Sequence, residues 1–211
     1  MMKKITCLAL AMILVFSMTG CGSSVPSVGD KIEFGKYLQS TSSSELDPIK
    51  WRVLAKDGKN VLLLSEYALD WRLFDGSGSS SSWENSSLRE WLNEDFYYDA
   101  FSADDRSKIV SMKVDNGRDG ETTDCVFLLS TEEVEKYFAR EYDRKSWQTQ
   151  CSVQHAKEID GGYFAMTNEV RWWTRTKDSD SRGFICVDED GEFCDRFFDS
   201  AAVRPAIWVT Y

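Results

Sequence analysis

The sequence contains a single histidine, His155, among its 211 residues. Transition-metal centres usually draw on several His or Cys ligands, so this scarcity argues against a multi-histidine metal site. His155 is also the one candidate for histidine acid–base catalysis. No serine stands in the Gly-x-Ser-x-Gly pattern that marks a nucleophile elbow. The sequence therefore favours a binding protein over an enzyme.

Basic residues are scarce as well. There are 25 Lys and Arg against 35 Asp and Glu, which gives a formal net charge of −10. An acidic chain is repelled by phosphate backbones, so no nucleic-acid partner is expected. Hydrophobic residues make up 42% and charged residues 28%, which is typical of a globular protein rather than a disordered one.

One apolar run, residues 5–16, is long enough to notice but too short to span a bilayer comfortably. It follows Lys3 and Lys4 and precedes Gly20-Cys21, an order that resembles a bacterial lipoprotein signal. We therefore expect removal of residues 1–20 and lipidation of Cys21, which would anchor the mature chain in the cell membrane on its extracytoplasmic side. Residues 21–30 are small and polar and predict a lipidated, flexible tether. Residues 31–211 then form a single globular domain.

Export places the remaining cysteines in a compartment that permits disulfides. Four belong to the mature domain: Cys125, Cys151, Cys186 and Cys194. A hairpin with the three-residue loop 189–191 would set Cys186 opposite Cys194, whereas a two-residue loop would not. We predict a Cys186–Cys194 bridge, which leaves Cys125–Cys151 as the second. The alternative is four free thiols.

Apolar periodicity predicts more strands than helices. Strands are expected over 31–37, 49–55, 60–65, 109–114, 125–129, 172–176, 184–188, 192–197 and 203–209. Helices are expected over 86–93 and 130–138, the second of them capped by Ser130 with Glu133. Residues 96–101 are expected to continue the packing of the first helix in a second short segment. Residues 139–167 show little period and predict a long loop. This pattern is typical of an α+β domain with a largely antiparallel sheet and a few short helices.

Seven short sequence blocks follow one another across nearly the whole mature domain. They are FGKY at 34–37, IKWRVL at 49–54, LLLSE at 62–66, WENSSLREWLN at 83–93, DCVFLLS at 124–130, WWTR at 172–175 and VRPAIW at 203–208. Together they resemble a bacterial family of exported domains of unknown function, often lipoproteins. The closing block also resembles the C-type-lectin-like and formylglycine-generating-enzyme-like superfamily. That second resemblance implies an α+β fold with a ligand surface near the last strands.

Four residues near the C-terminus are the candidate ligand-binding set. Trp172 and Trp173 are adjacent, so on a strand they face opposite ways. One of them can join Arg171 or Arg175 on a surface that stacks on a sugar or peptide. Arg204, before Pro205, completes the set. In the alternative interpretation both tryptophans are structural, and Arg204, like Arg89 and Arg52, pairs with a buried carboxylate such as Asp124.

Two groups of acidic residues in loops have the spaced oxygens that calcium prefers. They are Asp115, Asp119 and Glu121, and then Asp178, Asp180, Asp188 and Asp190. The first group resembles the start of an EF-hand loop, but Val126 stands where the bidentate Glu is needed. We therefore expect solvated turns, no bound metal and no cofactor, with calcium as the exception to test.

The features together predict a lipid-anchored extracytoplasmic module that binds a glycan, a peptide or a cell-wall ligand, without catalysis. The first alternative is a structural or assembly partner of another envelope protein. The second is a cryptic hydrolase or thiol oxidase.

Overall fold

The computed structural model describes residues 25–76, 82–161, 169–179, 183–194 and 200–211. The predicted signal peptide, residues 1–20, and the predicted lipidation site, Cys21, lie outside the described residues. In the described ranges, no helix has the length and apolar character needed to cross a bilayer.

The described residues form thirteen strands and six short α-helices. The strands are β1 (Lys31–Tyr37), β2 (Asp47–Asp57), β3 (Asn60–Ser65), β4 (Asp70–Leu73), β5 (Ile109–Val110), β6 (Met112–Asp115), β7 (Glu121–Asp124), β8 (Val126–Phe127), β9 (Trp172–Lys177), β10 (Phe184–Val187), β11 (Phe193–Cys194), β12 (Ser200–Val203) and β13 (Ala206–Thr210). The helices are α1 (Ser87–Asn93), α2 (Asp95–Ala100), α3 (Ala103–Arg106), α4 (Thr131–Tyr137), α5 (Glu141–Arg144) and α6 (Gln150–Asp160).

Two sheets organise the domain, and a two-stranded ribbon of β6 and β7 accompanies them. The first sheet has the order β1-β2-β3-β13-β5, with β8 also paired to β13. The second has the order β11-β10-β9-β12-β4, and its β9–β12 pairing is parallel while the other pairings are antiparallel. The predicted α+β class with a largely antiparallel sheet is confirmed.

The predicted strand over 203–209 is two strands in different sheets. β12 belongs to the second sheet and β13 to the first, so Arg204 and Pro205 join them. Proline has no backbone N–H and cannot continue a ladder as a donor. Its carbonyl instead accepts a hydrogen bond from the Ser65 N–H at 3.0 Å, which fixes this junction on the end of β3.

The prediction of a long loop over 139–167 is wrong, because this region contains α5 and α6. The α6 helix begins after Thr149, whose hydroxyl accepts from the Ser152 N–H, and ends at Gly161 with φ of 73°. Its buried side chains are Cys151, Ser152 and Ala156. With so few apolar side chains on its buried face, the helix leaves a weak periodic signal in the sequence.

The prediction of a flexible tether over 21–30 is wrong for residues 25–30. The Gly29 N–H donates to the Val53 carbonyl and the Val53 N–H donates to the Asp30 carbonyl, both at 2.9 Å. Val25 packs against the core. These residues are therefore attached to β2 as part of the domain.

The hairpin that joins β10 to β11 has the predicted register. Cys186 lies opposite Cys194, the Asp188 N–H donates to the Glu192 carbonyl at 2.8 Å, and Gly191 adopts φ of 89° in the loop. The Cys186–Cys194 bridge itself is not formed. All four cysteines in the described part of the chain are free thiols. Burial raises the pKa of Cys186 well above its usual range, which keeps that thiol protonated.

The predicted Cys125–Cys151 bridge is not formed either, and the two residues lie beside different helices. The Cys125 N–H donates to the Asn93 side chain at 2.8 Å, beside α1. The Cys151 N–H donates to the Gln39 carbonyl at 3.3 Å, at the start of α6. The structure has the alternative of free thiols at these positions, because a packed core can bury cysteine as a small apolar side chain without a bridge.

The WENSSLREWLN block, which contains α1, is fixed to the β7–β8 segment by polar contacts. Asp124, with 1% exposure, accepts from Trp83 Nε1 at 3.0 Å, Arg89 Nε at 2.7 Å and Thr122 Oγ1 at 2.7 Å. The Asn93 amide accepts from the Val126 N–H at 3.1 Å and donates to its carbonyl at 2.9 Å. The predicted pairing of Arg89 with Asp124 is therefore confirmed.

Candidate functional site

The predicted ligand-binding surface of tryptophan and arginine is not a surface. Trp172, Trp173, Arg175 and Arg204 have exposures of 0%, 1%, 4% and 1%. Both faces of β9 are covered, so the strand alternation that separates the two tryptophans brings neither of them to solvent. The expectation that one of them stacks on a ligand is wrong on this geometry.

Each of the two tryptophans uses its indole N–H to hold the framework. Trp172 Nε1 donates to the Arg144 carbonyl at 3.1 Å, and Trp173 Nε1 donates to the Arg72 carbonyl at 3.0 Å. Buried indoles need such a partner, because an unpaired buried N–H carries a desolvation penalty.

The two arginines join segments that are distant in sequence. Arg175 donates to the carbonyls of Leu128 and Asp115, at 2.7 and 2.9 Å, and to the Glu133 carboxylate. Arg204 lies 5.2 Å from the centroid of the Trp172 ring and donates to the Ser65 carbonyl at 2.8 Å.

Neither Arg204 nor Arg52 pairs with Asp124, so the alternative prediction that they share this carboxylate with Arg89 is wrong. Arg52 makes two hydrogen bonds to Glu66, at 3.0 and 2.9 Å. Arg204 finds backbone carbonyls instead, and burial lowers its pKa to about 9.

The predicted acidic loops come together only in part. Asp115, Asp119 and Asp178 line one cavity of about 620 Å³, but three basic residues line it too: Arg118, Arg175 and Lys177. Glu121 pairs with Lys113 at 3.0 Å. Of the second group, Asp188 closes the hairpin loop by accepting from the N–H groups of Asp190 and Glu192, and Asp180 lies outside the described residues. Over the ranges that the structure describes, no three His, Cys, Asp or Glu side chains are grouped as metal ligands.

A larger groove, of about 940 Å³, lies where the end of β1, the corner between α2 and α3, and the C-terminal strand meet. We call it the tyrosine groove. Its lining includes Glu33, Phe34, Gly35, Lys36, Leu46, Pro48, Tyr98, Asp99, Ala100, Phe101, Ser102, Asp105, Arg106, Lys108, Val209, Thr210 and Tyr211. Volumes of this size are typical of clefts that bind small ligands or short segments of a polymer.

The floor of the groove depends on a glycine in the FGKY block. Gly35 has φ of +67° and sits at an irregularity in the β1–β2 pairing. A Cβ at this position would lie 2.6 Å from the Phe101 ring and 2.7 Å from the Ala100 carbonyl oxygen. Only glycine permits this close approach of β1 to the α2–α3 corner. Phe34 then packs on Phe101 with ring centroids 5.6 Å apart.

The wall of the groove carries an exposed aromatic ring. Tyr98 is 59% exposed, and the guanidinium of Arg106 lies 5.0 Å from its ring centroid. Arg106 also donates to the Phe101 carbonyl, so this cation is held in position. An exposed aromatic ring beside a guanidinium that is held in position is suited to stacking on a sugar face or a planar peptide group.

The charges around the groove are balanced, in contrast to the acidic chain as a whole. Three acidic residues, Glu33, Asp99 and Asp105, lie with three basic ones, Lys36, Arg106 and Lys108. Asp105 accepts from the N–H and hydroxyl of Ser102 and caps α3. Within the described part of the chain, Glu33, Lys36, Asp99 and Lys108 form no ion pair, so their hydrogen-bonding groups are available to a ligand.

Sequence reasoning missed Tyr98, although a signal was present. In α2, Phe96 is buried and packs against Tyr37, with ring centroids 5.0 Å apart. Tyr98 follows two positions later, and two residues of an α-helix turn through about 200°, which directs its side chain away from the core. The sequence analysis assigns the whole segment to packing and does not separate its two faces.

Comparison with known sequences gives a family but no characterised relative. No curated protein and no solved structure matches the chain. Residues 58–211 match the family described as Domain of unknown function (DUF6273). Because this match covers well over half of the sequence, the chain belongs to the DUF6273 family.

Proposed function

We propose that this chain is a lipid-anchored, extracytoplasmic module that binds a glycan, a peptide or a cell-wall fragment in the tyrosine groove. The observation that carries the proposal is the groove itself: about 940 Å³, with the exposed Tyr98 ring beside Arg106. Its six balanced charges favour a neutral or zwitterionic polar ligand over a strongly anionic one.

The cellular location in this proposal is supported by the order of the N-terminal segments. Two lysines, an apolar run and Gly20-Cys21 follow one another as in lipoprotein signals. Residues 25–30 are attached to β2. An anchored module of this kind would therefore be held close to the membrane surface.

The test is binding of the purified protein to arrayed glycans and to disaccharide–peptide fragments of peptidoglycan, with calcium and with a chelator. We expect a hit that does not depend on calcium. Tyr98→Ala should then weaken binding about 10- to 30-fold, which is typical of an aromatic residue at the centre of a binding site.

Tyr142→Ala is the matched control, because Tyr142 is another exposed tyrosine, at 74%, and does not line the groove. It should leave binding unchanged. Equal losses for the two variants would contradict the site, and a hit that needs calcium would move it to the acidic loops.

A protein partner is the second candidate, and two exposed aromatic residues favour it. Tyr142 and Trp147 are 74% and 57% exposed, and Lys145 between them forms ion pairs with Glu169 and Asp190. Exposed tyrosine and tryptophan are typical of protein interfaces. Trp147→Ala should abolish capture of an envelope protein from membranes if this surface is the functional one.

A further inference from the structure

A separate cavity, of about 520 Å³, lies at the first turns of α6 and shares no lining residue with the tyrosine groove. One wall is the serine-rich segment 40–44 together with Leu38. The other wall consists of three α6 side chains: Cys151, Gln154 and His155. The cavity therefore brings a thiol and the single histidine of the chain to one space.

The serine-rich wall is fixed to the first turn of α6. Gln150 Oε1 accepts from the Ser40 hydroxyl and from the Thr41 N–H, both at 3.2 Å. The Cys151 N–H donates to the Gln39 carbonyl at 3.3 Å. These bonds define the shape of the cavity without using the thiol or the imidazole.

His155 is oriented by a buried carboxylate. Its Nδ1 lies 2.5 Å from Asp70 Oδ1, and an ionised carboxylate only accepts hydrogen bonds, so Nδ1 carries the proton. Asp70 is 1% exposed and also accepts from the Tyr37 hydroxyl at 3.1 Å and the Trp71 N–H at 2.7 Å. Nε2 of His155 has no hydrogen-bond partner among the described residues and is free to accept a proton.

Cys151 lies one helical turn before His155, so both side chains project from the same face of α6. The Cys151 residue is 6% exposed. Burial, and then the carboxylates of Asp70 and Asp47, raise the pKa of its thiol. The thiol is therefore protonated at neutral pH and needs a base to become a nucleophile.

We propose that Cys151, His155 and Asp70 form a thiol acyl-transfer site that accepts a small ester-linked acyl group from a polar carrier. A nucleophile, a base and a group that orients the base are the three parts that such chemistry needs. The modest volume and the serine hydroxyls of the wall favour a small, polar acyl donor over a long acyl chain. This activity goes beyond the proposed binding function and uses a different cavity.

The reaction needs only these residues, the ester and water. Nε2 of His155 takes the thiol proton as Cys151 Sγ bonds to the acyl carbon. The bond from that carbon to the carrier oxygen breaks, and the departing oxygen takes the proton from Nε2. Water then attacks the thioester; its hydroxyl stays on the acyl carbon as a carboxylic acid, and its other proton returns through Nε2 to Sγ. Asp70 is a positioning residue, because it acts through the imidazole.

The experiment treats the purified protein with p-nitrophenyl acetate, follows release of nitrophenolate and locates the acetyl group by mass spectrometry. We expect a burst with acetyl on Cys151. His155→Gln should slow acetylation of Cys151 by about 100-fold or more, the usual contribution of a general base. Cys151→Ser should abolish the burst.

Cys125 is the internal control, since it is a free thiol with greater exposure than Cys151 and no histidine beside it. Acetylation of Cys125 at a rate equal to that of Cys151 would overturn the proposal, and so would an unchanged rate in His155→Gln. If His155→Gln fails to fold, the comparison of the two cysteines in the unaltered protein decides alone. Glu135→Ala, on the exposed side of α4 and outside both cavities, should leave acetylation unchanged. Acetylation is read on Cys151 and ligand binding at the tyrosine groove, so failure of one proposal is distinguishable from failure of the other.

Discussion

Asp124→Ala is expected to destabilise the domain by about 3–5 kcal/mol, the usual cost of removing one partner of a buried charge pair. The substitution leaves the Trp83 indole, the Thr122 hydroxyl and the Arg89 guanidinium without their shared acceptor. Each buried donor left unpaired costs roughly 1–3 kcal/mol. The Arg89 side chain is 25% exposed and can regain water, which keeps the sum near the lower part of that range.

The assay is urea unfolding followed by tryptophan fluorescence, together with a thermal melt. For a domain of this size, a loss of 3–5 kcal/mol corresponds to a fall in Tm of roughly 6–20 °C. Asp124→Asn keeps the shape but replaces a charge-assisted acceptor by a neutral amide, so its loss should be smaller. Glu135→Ala, on the exposed side of α4, should stay within about 0.5 kcal/mol. A loss below about 1 kcal/mol for Asp124→Ala would refute the view that Asp124 fixes the WENSSLREWLN block to β7.

Two further predictions concern the groove and the stability in acid. Gly35→Ala should lower the stability of the fold by about 1–3 kcal/mol and weaken ligand binding, because its Cβ would meet the Phe101 ring. Gly58 has a similar φ but open space around it, so Gly58→Ala should lower the stability by only about 1 kcal/mol and leave binding intact. Burial opposes ionisation of Glu66, but hydrogen bonds from Arg52 and a lysine outweigh it and lower the pKa of Glu66 from 4.5 to about 2. This carboxylate therefore stabilises the fold above pH 4.5 by about 1–2 kcal/mol, after allowance for partly exposed partners. The contribution should disappear as the pH falls towards 2. Urea unfolding over that pH range should show the difference in stability between Glu66→Gln and the unaltered protein vanish.

The parts of the fold that follow from local chemistry could be predicted from the sequence. The apolar run over 60–65 is β3, the Ser130–Glu133 capping box begins α4, and the loop glycine at 191 fixes the hairpin register. Each of these signals lies within a few neighbouring residues. A turn or a cap of this kind is specified by its own side chains.

The burial of Trp172 and Trp173 could not be predicted in this way. Strand alternation separates their two faces, but whether each face is covered depends on elements elsewhere in the chain. Phe74 packs against Trp173 at 5.2 Å between ring centroids, and Arg204 packs against Trp172. Both partners are more than thirty residues away in sequence, beyond the reach of a local pattern.

The tyrosine groove and the thiol cavity are harder still, since each one joins segments from distant parts of the chain. The groove needs β1, the α2–α3 corner and the C-terminal strand in one place. The His155–Asp70 contact spans 85 residues and depends on α6, which the sequence did not predict. The residue types alone do not indicate Asp70 as the partner of His155.

The most direct test of the groove as the ligand site is a backbone amide chemical-shift titration of the purified protein with a disaccharide–peptide fragment of peptidoglycan. We expect shifts that cluster at residues 33–36, 98–106 and 209–211, with none at residues 172–175. Shifts centred on residues 142–147, or on the cavity beside Arg175, would contradict it.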